Sequence, residues 1–109
     1  MSRRPDELLV ADIREAVEKV LLYTAGMGEV EFMGHGMAVD AVIRNVEVMG
    51  EAASNISDDY AKAHANVPFR KMAALRNRLI HGYFKINLPI LWQIVKEDIP
   101  LLKIEFSKM

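Results

Sequence analysis

The chain has 109 residues, 51% hydrophobic and 27% charged, with a formal net charge of -1. That length supports one domain with a real core, not two, and the composition is that of a folded chain. The absence of cysteine excludes a disulfide framework, a thiolate metal site and a cysteine nucleophile, and it fits a reducing cytosol.

Taken in chain order, Asp6 to Thr24 reads as a helix. Leu9, Ile13, Val17, Val20 and Thr24 recur at three- and four-residue spacing, and Gly26 and Gly28 stop it. Met27 to Met37 is glycine-rich and reads as a loop with one helical turn around Glu29–Met33. A second helix spans about Ala38 to Ile56, with Val39, Ile43, Val46, Met49 or Gly50, Ala53 and Ile56 inward and Arg44 able to pair with Asp40 or Glu47. Ser57 caps a short segment through His64. Pro68 opens a third helix that runs to about Ile80 and stops near Gly82. Asn87-Leu88-Pro89 opens the fourth, whose stripe is Leu88, Leu91, Val95, Ile99, Leu102 and Phe106. Pro100 must kink or split that helix. The nearest strand candidate, Tyr83 to Leu88, is too short. The expected fold is therefore all-α: one domain over 1–109, an up-and-down bundle of four principal helices plus short helical segments.

Charge is divided along the chain. Residues 1–60 carry five basic and twelve acidic side chains, residues 61–109 nine basic and three acidic. Ala61 to Lys96 holds Lys62, Arg70, Lys71, Arg76, Arg78, Lys85 and Lys96 without a single acid. Such a field attracts phosphates, unless the basic half pairs with the acidic half. The longest charge-free apolar run, Ile86 to Val95, has ten residues. A membrane span needs about 20. Asp6, Glu7 and Asp12 interrupt any signal-peptide core, so a cytoplasmic protein is expected.

The stretch with chemistry in it is Arg76-Asn77-Arg78-Leu79-Ile80-His81-Gly82-Tyr83. A guanidinium grips a phosphate through two bonds, and an imidazole titrates near neutral pH. Together they suit phosphodiester cleavage. Asn77 and His81, four apart, would stack on one helical face, where the amide orients the ring. Arg76 and His81, five apart, lie about 140° apart on an ideal helix. They converge only if Gly82 lets the last turn unwind. Read without more context, the histidine is equally well a dipole contact at a helix end, and Arg76 to Arg78 a solvated face.

Arg76-x-x-x-x-His81-x-Tyr83 resembles the signature of the HEPN superfamily, specifically its HepT-like toxins. The resemblance extends through Tyr23-Thr24-Ala25-Gly26, Ala41 to Glu47, Gly50-Glu51-Ala52, Val67-Pro68-Phe69, Leu91 to Val95 and Asp98-Ile99-Pro100. It implies a helical homodimer acting as a metal-independent endoribonuclease toxin without cofactors, paired with a minimal nucleotidyltransferase antitoxin. By the same resemblance Arg76 and His81 are catalytic. Tyr83 is an active-site residue and the target of AMP transfer, with Asn77 and Arg78 in support. A non-catalytic HEPN module that binds a nucleotide or a nucleotidyltransferase is the alternative; retention of Arg76, His81 and Tyr83 together favours the enzyme. His35, His64 and His81 have no metal-ligand spacing, so no metal is expected. Tyr60, Phe69 and Trp92 are read as packing residues.

Overall fold

The computed structural model describes residues 4–81 and 85–109; Arg76, Ile80, His81 and Lys85 are described through their backbones alone. The elements are α1 (Asp6–Tyr23), α2 (Glu29–Met33), α3 (Gly36–Ser54), α4 (Asp58–Ala63) and α5 (Phe69–Leu79), then β1 (Ile80–His81) and β2 (Lys85–Ile86). They are followed by α6 (Leu88–Gln93), a π-helical turn (Ile94–Asp98) and α7 (Ile99–Ser107). α1 packs on α3, α3 on α5, α5 on α6, and α7 returns to α1. The ring so closed is the expected all-α bundle, its fourth member assembled from α6, the π turn and α7.

Local chemistry explains most boundaries. Asp6 and Glu7 sit in the first turn of α1, where the helix dipole favours acids. Past its end Gly26 adopts φ 76°, a left-handed conformation that costs a glycine nothing. The Ser57 Oγ accepts from the Tyr60 N–H to cap α4 and donates to Asp6 Oδ2 at 2.7 Å, tying α4 to the start of α1. Asn87 caps α6 in the same way, accepting from the Ile90 N–H at 3.0 Å. His35, read from sequence as an ordinary loop residue, has a job of this kind. Its Nδ1 accepts the Ala38 N–H at 3.1 Å and caps α3, which starts two residues earlier than expected.

The apolar stripes fall where their spacing put them. Leu9, Ile13, Val17 and Val20 are buried in α1 with Thr24 at its C-terminal cap, and Leu91, Val95, Ile99, Leu102 and Phe106 in the fourth member. In α3 the inward face is wider than expected: Val42, Asn45 and Ala52 are buried as well, while Ile43 is half-buried. A helix flanked by α1 on one side and α5 on the other must cover both. Asn45 tolerates burial because its Nδ2 donates to the Ala41 carbonyl at 2.8 Å.

Pro100 divides the last helix without breaking its course. It has no N–H to donate to the preceding turn, and the turn widens: the Ile99 N–H bonds the Ile94 carbonyl, five residues back. Gln93, Ile94, Asp98 and Ile99 all keep right-handed helical angles. The other departure lies at the end of α5. The helix stops at Leu79, and the next two residues form an antiparallel ladder, Ile80 opposite Ile86 and His81 opposite Lys85. The Asn87 N–H, donating to the Leu79 carbonyl at 2.8 Å, supplies a partner at the helix end.

Candidate active site

The motif runs across this junction. Arg76, Asn77 and Arg78 lie on the last turn and a half of α5, His81 on β1, and Tyr83 lies outside the described residues. His81 lies on β1, past the end of α5, and so off the helix on which the four-residue spacing to Asn77 was read. The helical path ends at Leu79 and Ile80 opens the ladder with β2; Gly82, expected to let the last turn unwind, lies outside the described residues.

α5 is asymmetric around its axis. Met72, Leu75 and Leu79 are buried against the bundle, while Arg70 and Asn77, seven residues apart, share the exposed face. Lys71 and Arg78 share another stripe and meet one acid, Asp98, at the end of the π turn. The Lys71 Nζ lies 3.2 Å from Asp98 Oδ1 and the Arg78 Nη1 3.4 Å from Oδ2. Arg76, two residues before Arg78, occupies a position about 160° away around α5. The two arginines of the motif thus occupy different faces of α5. Arg78, expected as a supporting residue, is held by Asp98. A cleft of about 230 Å³ between α5 and α7, floored by Met72, Leu75 and Leu102, ends at this carboxylate.

Part of the acid-free stretch stays unneutralised. Among the described residues Lys62 and Arg70 form no ion pair, and Lys96 lies 5.8 Å over the Trp92 ring. Lys103 pairs with Glu18 at 2.7 Å and joins the two halves of the chain. Arg44 makes neither of the helical pairs its spacing allowed; among the described residues it has no ion-pair partner. Asn66 and Lys108 hold the Glu105 carboxyl below the ordinary range by hydrogen bonding to it, and Asp12 raises Arg4.

Sequence reasoning missed Asp98. A lone acid beside Glu97 carried no signal of burial, since only the π turn and the approach of α5 create it. The aromatic residues behave as packing groups. Phe69 is buried edge-on between Tyr60 and Phe106, with centroids 6.2 and 6.3 Å away, and Tyr60 stacks on His64 at 4.4 Å. No group of acids and histidines able to hold a metal ion occurs among the described residues, and none of the described helices is long and apolar enough to cross a membrane.

Comparison with known proteins places this architecture. The model of the family described as "Ribonuclease HepT-like" matches residues 13–109, a span that includes the whole motif. The chain is 39% identical over 107 residues to "Probable ribonuclease HepT" of Thermococcus cleftensis, covering 98% of this chain and 97% of that protein. It is 42% identical over 105 residues to a candidate RNase of Methanocaldococcus jannaschii, covering 96% of each. In a second protein of that organism, named as a gamma-glutamylcyclotransferase and candidate RNase, the 34% identical region is 48% of the length. No solved structure gives a significant match. With the family model covering Ile13 to the last residue, and full-length relatives at this identity, the chain belongs to the HepT-like ribonuclease family.

Proposed function

We propose that the protein is a metal-independent endoribonuclease, the toxin of a toxin–antitoxin pair, active as a homodimer. The observation that carries this reading is the match of residues 13–109 to a ribonuclease family across the complete Arg76, His81 and Tyr83 motif. The substrate 2′-hydroxyl attacks the adjacent phosphate, the leaving 5′-oxygen takes a proton, and a cyclic phosphate remains. That reaction needs a base and an acid. One motif histidine per chain supplies both if two copies of His81 face one groove, with both Arg76 guanidiniums on the developing phosphorane charge. Exposed apolar residues support association: Leu101 and Ile104, neighbours on α7, are 54% and 51% exposed. Lys62 and Arg70, without an ion pair among the described residues, favour a polyanionic substrate.

The test is purified protein with labelled RNA in EDTA. Cleavage to cyclic phosphate ends by a species that sediments as a dimer is expected. Cleavage only after added magnesium, or full activity in a monomer, would sink the mechanism.

Regulation follows from the same field. A nucleotidyltransferase antitoxin with ATP and magnesium is expected to transfer AMP to Tyr83, two residues past His81. The adduct brings a phosphate and a base to the place an RNA nucleotide would take. Cleavage should stop, and Tyr83→Phe should remain unmodified. Mass spectrometry after co-expression decides it: an adduct on another residue, or a modified chain that still cuts, refutes the idea.

A further inference from the structure

Asp98 is the only buried charged side chain among the described residues, with nine-tenths of its surface removed from solvent. It comes from an unusual place. Next to Pro100 the chain makes its π turn, and Asp98 stands where a capping residue of α7 would stand. Yet its side chain makes no cap bond. The carboxylate turns instead to α5 and takes Lys71 on one oxygen and Arg78 on the other. Those two residues are seven apart, two helical turns, with Leu75 fully buried between them on the same stripe. Burying a carboxylate is costly, and a well-packed apolar residue stabilises such a site as well or better. What an apolar residue lacks is direction. Packing of Met72, Leu75 and Leu79 holds α5 against the bundle but tolerates small rotations, whereas charged bonds to two points along one stripe do not.

We propose that Asp98 is a positioning residue for the cleavage site. By holding Arg78 and Lys71 it fixes the rotation of α5 about its own axis. That rotation sets where Arg76 stands on the other side of the helix, and where β1, which follows α5 without a linker, delivers His81. The proposal rests on the ribonuclease reading. It explains why the motif's second arginine is turned away from the first: its partner is the scaffold, and its effect on cleavage passes through helix placement.

The experiment measures kcat and KM on labelled RNA in EDTA, per folded molecule, for the full-length chain. Asp98→Asn keeps the shape and removes the charge. It is expected to lower kcat by about tenfold to a hundredfold, the scale of a small misplacement, with KM changed less than about twofold. Arg78→Gln should do the same, and the double variant should be no worse than either single, because both break one connection. Asp98→Glu should recover part of kcat. Lys71→Met, which removes the more exposed of the two anchors, should lower kcat by less than Arg78→Gln does. If Asp98→Asn does not fold, Arg78→Gln, at a side chain 39% exposed, carries the test. Full kcat in Asp98→Asn and Arg78→Gln overturns the proposal, as do additive losses in the double variant. So does a loss confined to KM, which would make Arg78 an RNA contact. A wild-type chain that cleaves no RNA overturns the ribonuclease reading, and this proposal with it.

Discussion

His81→Ala is expected to lower RNA cleavage by ~10²-fold or more, with the fold intact. That loss corresponds to about 2.7 kcal/mol of transition-state stabilisation. Within the motif the imidazole alone titrates near neutral pH, so it alone can accept and return a proton at comparable rates in both directions. Cleavage in EDTA should therefore follow a bell-shaped pH profile in the wild type, and the bell should vanish with the ring. The fold should survive because β1 is held by backbone pairing of His81 with Lys85, which any residue can make. Rate profiles on labelled RNA, beside denaturation curves for the two proteins, check both halves. A variant that unfolds, or one that cuts at the wild-type rate, would remove His81 from the role given to it.

The bundle was legible because its signals are local and redundant. Each long helix repeats its apolar stripe over three or more turns, and Ser57, Pro68, Asn87 and Pro89 mark starts by chemistry that acts within one turn. The short α2 was legible for the same reason: Gly28 and Gly34 bound it on either side. The junction at Leu79 was not. Two ladder pairs and one bond from the Asn87 N–H decide that α5 ends there, and these join residues brought together by the fold. Local propensity of Leu79-Ile80-His81 reads equally well as helix, so the tertiary partner wins. The same limit hid the Asp98 bridge. Lys71, Arg78 and Asp98 meet because α5 lies against the π turn, and no spacing in the chain encodes that approach. For the candidate site, sequence supplied the residue types through a family resemblance. The structure adds that Arg76 and His81 stand on different elements.

Phe32→Ala is expected to destabilise the protein by about 3–5 kcal/mol, a large part of the roughly 5–15 kcal/mol of a domain this size. α2 has five residues, far below the ~12–15 at which an isolated helix becomes even marginally stable. It exists because Phe32, its one buried residue, is 0% exposed and rests 5.3 Å from the Trp92 ring, tilted by 35°. Truncation removes the ring's burial and the aromatic pair, itself worth about 0.5–1.5 kcal/mol. It also opens a cavity between α2, α3 and α6 that a five-residue helix has no other side chain to fill. Phe32→Leu, which keeps most of the volume, should cost less than half as much. Trp92 is the single tryptophan of the chain, so its emission reports the site directly during urea unfolding. Loss should appear twice: as a lower midpoint, and as a shifted native-state spectrum where Trp92 has lost its neighbour. An unfolding free energy within about 1 kcal/mol of wild type would mean that α2 is held by its backbone and by Met33, and that Phe32 merely occupies space.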